Sequence, residues 1–112
     1  MLLKDIIEKL ELKVLNLANQ DIDVKDAYAS DLLSDVMGKA KTGQIWVTLQ
    51  THKNVSAICS LKDLAAVIII GNGKPDDDML EHAKLEDVCV LSTAESCFDI
   101  CGKLYGLIKS EV

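Results

Sequence analysis

Apolar residues recur along the chain in two rhythms. Leu2, Leu3, Ile6, Ile7 and Leu10 stand at helical spacing, with Lys4, Asp5, Glu8 and Lys9 between them, which predicts an amphipathic helix. Lys13 to Leu17 then reads as a short strand, Asp21-Ile22-Asp23 as a turn, and Asp26 to Ser30 as a second short strand. Ser30 or Asp31 is placed to cap a helix carrying Leu32, Leu33, Val36 and Met37, because its side-chain oxygen can accept an otherwise unpaired helix N–H. Gly38 and Gly43 bracket the end of that helix.

The second half is more regular. Ile45-Trp46-Val47-Thr48-Leu49 is a β-branched and aromatic strand, and Thr51 to Asn54 follows as a loop. Asn54 is expected to cap a helix carrying Val55, Ile58, Cys59 and Leu61. Ala65 to Ile70 is a continuous apolar run, as suits a strand buried on both faces. Gly71 to Pro75 ends it. Pro75 and the aspartates 76 to 78 open a further helix, with Met79, Leu80, Ala83 and Leu85 as its apolar residues. Val88 to Leu91 reads as a short strand, and Ser92 to Glu95 has capping-box spacing. A last helix is expected from about Ala94 to Lys109, with Phe98, Cys101, Leu104, Tyr105 and Ile108 facing inward. Strand–helix alternation of this kind implies right-handed crossovers. The expected fold is layered α/β, a mainly parallel sheet flanked by helices, in one domain over residues 1–112. No repeat, low-complexity segment or linker interrupts it.

Composition narrows the function classes. Aromatic residues are few (Trp46, Phe98, Tyr28 and Tyr105), so the core must be aliphatic. Net charge is −6, arginine is absent, and the 12 lysines are dispersed. Nucleic acid and anionic membranes are recognised by clustered Lys and Arg, so neither is expected as a partner. The longest apolar run, Leu64 to Ile70, is far short of a membrane span, and the N-terminal stretch lacks the features of a secretory signal. The expected location is therefore cytoplasmic, where the four cysteines would be reduced thiols.

Several catalytic patterns fail at named positions. Gly71-Asn72-Gly73-Lys74 has the look of a phosphate loop, but G-x-x-x-x-G-K-S/T would need glycine where Ile68 stands and Ser/Thr where Pro75 stands. The third glycine of a dinucleotide fingerprint is missing. As a plain turn, Gly71–Gly73 links a buried strand to a helix; as a ligand loop, its glycines would admit close backbone approach. Asp76, Asp77 and Asp78 already occupy the positive end of the following helix, which counts against a phosphate there. Cys97 and Cys101 stand four apart on one helical face, while Cys59 and Cys89 lie elsewhere. None has zinc-ribbon spacing, so the cysteines are expected to pack in the core, with no metal and no cofactor. Neither G-x-S-x-G nor H-E-x-x-H occurs. His82, beside Glu81, is expected in solvent. His52 follows the strongest strand, and strand C-termini in parallel sheets collect ligands.

The segment Ala65-Ala66-Val67-Ile68-Ile69-Ile70-Gly71-Asn72-Gly73-Lys74-Pro75 resembles the DRTGG domain. So do Leu80-Glu81-His82-Ala83, Val88-Cys89-Val90-Leu91-Ser92-Thr93 and, upstream, Tyr28 to Met37. The likeness runs from about Val24 to Ile108. The family's acidic–basic pair falls near Thr51-His52 and its threonine at Ile70, where this chain differs; Gly71 and Gly73 keep the glycine part. The family is similar to the N-terminal domain of HPr kinase/phosphorylase. It occurs inside phosphotransacetylases and between CBS domains of regulated pyrophosphatases as an accessory module. The resemblance implies an HPr kinase N-terminal-domain-like α/β fold, a regulatory role and a tendency to form homodimers.

The expected function is that of a non-catalytic regulatory module binding a small ligand, either an adenine nucleotide or another small anion. The candidate site lines the strand C-termini: Ser30 and Asp31; Thr51, His52 and Asn54; Gly71, Asn72 and Gly73; Ser92 and Thr93. The glycines give backbone access, the hydroxyls and Asn54 donate or accept hydrogen bonds, and His52 meets an anionic group or a nucleobase edge. The alternative is a protein-interaction subunit without a ligand, using the Leu2–Leu10 helix or a sheet edge. An enzyme built on His52 and Asp31 would need both side chains in one pocket.

Overall fold

Two four-residue strands in which every residue is buried form the centre of the computed structural model, which describes residues 1–110. They are β3 (Ile45–Thr48) and β4 (Ala66–Ile69). The other strands are β1 (Lys13–Asn16), β2 (Ala27–Ala29) and β5 (Val90–Ser92). The helices are α1 (Leu3–Lys9), α2 (Leu33–Lys39), α3 (Lys53–Lys62), α4 (Asp77–Leu85) and α5 (Cys97–Lys109). The five strands form one sheet in the order β1-β5-β4-β3-β2. β2, β3, β4 and β5 run parallel, and β1 pairs antiparallel with β5. The mainly parallel, helix-flanked sheet read from the sequence is the fold observed.

Side-chain alternation along the strands makes two cores. Ile45, Val47, Ala66, Ile68 and Leu91 point to one face and meet Leu3 and Ile6 of α1 and Ile100, Leu104 and Ile108 of α5. Trp46, Val67, Ile69 and Val90 point to the other and meet Val36, Val55, Ile58, Met79 and Ala83 of α2 to α4. The three parallel crossovers thus lay their helices on one face, as a constant right-handed connection requires. Leu3 and Ile6 are fully buried in the domain's own core, so the inner side of α1 is not free for a partner.

The helix ends differ from expectation. Leu32, His52 and Asp76 are the N-cap residues of α2, α3 and α4, and none of their side chains makes a capping hydrogen bond. Asn54 lies inside the first turn of α3, and Ser92 belongs to β5, so neither caps a helix. Ser96 caps α5 instead, accepting the Asp99 N–H at 3.2 Å. The buried stripe of α5 is Ile100, Leu104 and Ile108, at i, i+4, i+8. Phe98 and Tyr105, expected inside, are 86% and 67% exposed. Leu61 and Leu85, on the last turns of α3 and α4, are also exposed. Among the described residues no helix is long and apolar enough to cross a membrane.

Candidate functional site

Because β2 to β5 are parallel, their C-terminal ends share one edge, and the loops that leave them carry the candidate residues. On one side of this edge the loop after β4 is tied to the loop after β5. Thr93 N–H donates to the Ile69 carbonyl at 3.0 Å, Asn72 N–H to the Thr93 carbonyl at 2.9 Å, and Gly71 N–H to the Glu95 carbonyl at 3.0 Å. Gly71 and Asn72 both have left-handed backbones, at φ 62° and 58°. Gly73 is needed for space: a Cβ there would lie 2.8 Å from Ile69 Cγ2 and 3.2 Å from the Ile70 carbonyl oxygen.

These loops border an open cavity of about 390 Å³. Asn72, Ser92 and Thr93 line it together with Leu10, Lys13, Glu95 and Lys103. The Lys103 ammonium pairs with the Glu95 carboxylate, which holds the lysine above its ordinary pKa. Lys13 makes no ion pair among the described residues. The pocket therefore offers two ammonium groups, two hydroxyls and one amide, balanced by the carboxylates of Glu95 and Glu11.

On the other side, Ser30 and Asp31 are occupied in joining strand ends. Asp31 Oδ1 accepts the Thr48 hydroxyl at 2.8 Å and the Leu49 N–H at 2.7 Å. Its backbone carbonyl accepts from Gln50 Nε2 at 2.9 Å. Ser30 Oγ accepts the Leu32 N–H at 3.2 Å, and its carbonyl accepts the indole N–H of Trp46 at 2.8 Å. His52 Nδ1 lies 2.8 Å from Asp76 Oδ2, so the starts of α3 and α4 are linked by an exposed hydrogen bond. Asp76 N–H donates to the Thr51 carbonyl at 2.9 Å. No hydrogen bond joins His52 to Asp31 among the described residues. The candidate residues thus share one edge but divide into a pocket group (Asn72, Ser92, Thr93), a His52–Asp76 group and a Ser30–Asp31 brace, with Asn54 exposed on α3.

One polar pair escaped the sequence reading. His82 is half-buried, and its Nδ1 lies 2.9 Å from Ser56 Oγ. Ser56 is fully buried, and its hydroxyl donates to the Lys53 carbonyl at 2.9 Å. With that hydroxyl turned to the Lys53 carbonyl, the tautomer of His82 with a proton on Nδ1 donates to the serine oxygen. The pair bridges α3 and α4. Its sequence signal is a serine between Val55 and Ile58 on the inward side of α3.

The cysteines also divide. Cys59 and Cys89 are buried as expected, and burial raises both thiol pKa values. Cys97 is exposed and Cys101 half-buried, because the inward stripe of α5 passes through Ile100 and Leu104. Among the described residues no group of three or more His, Cys, Asp or Glu side chains is placed to hold a metal ion.

No family model matches the chain, and no curated protein matches it significantly. A solved structure does: the crystal structure of the CBS and DRTGG domains of the regulatory region of Clostridium perfringens pyrophosphatase, complexed with its activator diadenosine tetraphosphate. The TM-score is 0.74 at 18% sequence identity, over 89% of this chain and 44% of that one. This chain therefore has a DRTGG-like fold and spans less than half the length of that neighbour.

Proposed function

We propose that this domain is a regulatory module that binds an adenine nucleotide, or a small anion of similar charge, without catalysing a reaction on it. The observation that carries the reading is the cavity at the C-terminal edge of the parallel strands, where Lys13, Lys103, Ser92, Thr93 and Asn72 converge. The Lys13 ammonium is open to phosphate oxygens, Lys103 can exchange its Glu95 partner for them, and hydroxyl and amide groups fix orientation in a partly apolar pocket. The likeness to a regulatory region complexed with diadenosine tetraphosphate supports the nucleotide as ligand class. In this reading the module works in the cytosol as a homodimer, reporting ligand occupancy to a partner enzyme.

The test is calorimetry and thermal unfolding with AMP, ADP, ATP and diadenosine tetraphosphate. A ligand that binds the folded state stabilises it by about 2.7 kcal/mol at a concentration 100 times its dissociation constant. One of these nucleotides is expected to give saturable stabilisation. Absence of any stabilisation at millimolar concentration would remove the nucleotide reading.

A second reading, a protein-interaction subunit, rests on a different observation. β2 is the terminal strand of the sheet, and an apolar groove of about 180 Å³ runs beside it, bordered by Ala27, Ala29, Leu104, Tyr105 and Ile108. An unpaired strand edge next to apolar surface is a template for another chain. Co-purification of a stoichiometric partner, lost on Ala29→Pro, would favour this reading over the first.

A further inference from the structure

We propose that Cys97 and Cys101 form a two-sulfur site for a divalent cation of the zinc group, Zn²⁺ or Cd²⁺, at the border between the buried and exposed faces of α5. The two residues are one helical turn apart, and their Sγ atoms lie 3.8 Å from each other. A tetrahedral ion with metal–sulfur bonds of about 2.3 Å requires two sulfurs about 3.8 Å apart. The helix therefore already presents the chelating distance. It does not present a disulfide: Cβ atoms one turn apart are separated by about 5–6 Å, whereas a disulfide needs about 3.5–4.5 Å. Oxidation would have to unwind the first turn of α5, and chelation leaves it intact.

Accessibility separates this pair from the other thiols. Cys59 and Cys89 are buried in the two cores on opposite faces of the sheet, so neither is open to an ion from solvent. Cys97 is exposed and Cys101 half-buried, which leaves the outward side of the ion open to water or to the same pair on a second copy. Binding exchanges two thiol protons for one cation: M²⁺ plus two R–SH gives M(SR)₂ plus two H⁺. The chelate is neutral and no electrons are transferred. Thiolate donors select the zinc group over magnesium and calcium, which take oxygen ligands.

The test titrates Cd²⁺ into the reduced, tag-free chain, following sulfur-to-metal charge-transfer absorption, with proton release measured in buffers of different ionisation enthalpy. A saturable band is expected at one ion per chain or one per two chains, with two protons released for each pair of thiols engaged. Cys97→Ser and Cys101→Ser should each abolish the band while far-ultraviolet circular dichroism stays unchanged. Cys59→Ala should retain it. The absence of a band with excess Cd²⁺, or a band that survives in the Cys97→Ser/Cys101→Ser double variant, would overturn the assignment.

Discussion

The carboxylate of Asp31 accepts the hydroxyl of Thr48 at 2.8 Å, and the same oxygen accepts the Leu49 N–H at 2.7 Å. One acidic side chain in the loop after β2 thus holds the end of β3. Thr48 is buried, and its hydroxyl oxygen also accepts the Gln50 N–H at 3.1 Å, so this connection sets the start of the loop that leads to His52. Hydrogen bonds to a charged acceptor contribute more than neutral ones. Asp31→Ala is expected to destabilise the domain by about 1–2 kcal/mol, discounted for the exposure of the carboxylate, and Asp31→Asn by less, since the amide oxygen still accepts. Urea unfolding of the two variants checks the order; equal losses would mean that the acceptor is not what matters.

Asp31 also shows where sequence reading stopped. Its position after a strand and before a helix suited a cap, and the chain instead uses it across the sheet edge. Both choices offer an N–H to the same oxygen, and strand neighbours decide between them. The order of strands and helices was legible because β-branched runs such as Ala66–Ile69 and the alternation from Ile45 onward have one comfortable solution. That the candidate residues sit on loops leaving parallel strands followed from the same alternation. Which of them meet was not legible, because it depends on β1 inserting beside β5 and bringing Lys13 and Leu10 to Thr93. The exposure of Phe98 and Tyr105 was hidden for a local reason. Leu104 and Ile108 do face inward, but at about 100° per residue Tyr105 and Phe98 lie roughly 100° or more around the helix from Leu104, outside the buried stripe that Ile100 completes.

Glycine substitutions should separate space from propensity. At Gly73 a methyl group meets Ile69 Cγ2 at 2.8 Å and a backbone carbonyl at 3.2 Å, and Ile69 is fully buried and unable to yield freely. Gly73→Ala is expected to cost about 1–3 kcal/mol. Gly106, inside α5, has nothing within 4 Å of the place an added methyl group would take, so Gly106→Ala should stabilise by about 0.5–1 kcal/mol. Thermal unfolding of the two variants should move in opposite directions.

Trp46 supplies the reporter for such measurements. It is the single tryptophan, fully buried, with its indole N–H donating to the Ser30 carbonyl at 2.8 Å. Its fluorescence should shift to the red on unfolding. Trp46→Phe removes the donor and leaves part of the side-chain volume empty, and is expected to cost about 2–3 kcal/mol from the cavity and the unpaired carbonyl. A loss under half that would mean that the indole hydrogen bond contributes little.

The Tyr28–Asp35 hydrogen bond should show itself at both ends of the pH scale. Tyr28 OH donates to Asp35 Oδ2 at 2.8 Å. The phenol holds the Asp35 carboxyl below its ordinary 3.8, with Ser30 and Lys39 adding to the effect. The carboxylate in turn raises Tyr28 above its ordinary 10.0, and partial burial acts in the same direction. A lowered carboxyl contributes stability that is fully present above 3.8 and lost as pH falls through the lowered value. A raised phenol contributes stability that is present below 10.0 and lost as pH rises through the raised value. Urea midpoints of the wild type and Tyr28→Phe should differ by a constant amount between about pH 5 and pH 9 and converge beyond either end. A gap that does not depend on pH would assign the difference to packing.

The two ends of the strand edge can be told apart by ligand response. His52 and Asp76 are 69% and 47% exposed, and a pair so accessible contributes at most about 1 kcal/mol to stability. Lys103, paired with Glu95, is also accessible, so neither His52→Ala nor Lys103→Ala should disturb the fold. With a nucleotide phosphate seated in the cavity beside Asn72 and Thr93, Lys103→Ala removes one of two ammonium groups and should weaken binding by about tenfold or more, the scale of a charge-assisted hydrogen bond. His52→Ala should then leave the dissociation constant within about twofold, because its ring is turned to Asp76 and is absent from the cavity wall. The opposite outcome, with His52→Ala abolishing binding and Lys103→Ala tolerated, would move the ligand to the junction of α3 and α4. It would then have to displace Asp76 from His52, so that Asp76→Asn would strengthen binding of an anion there.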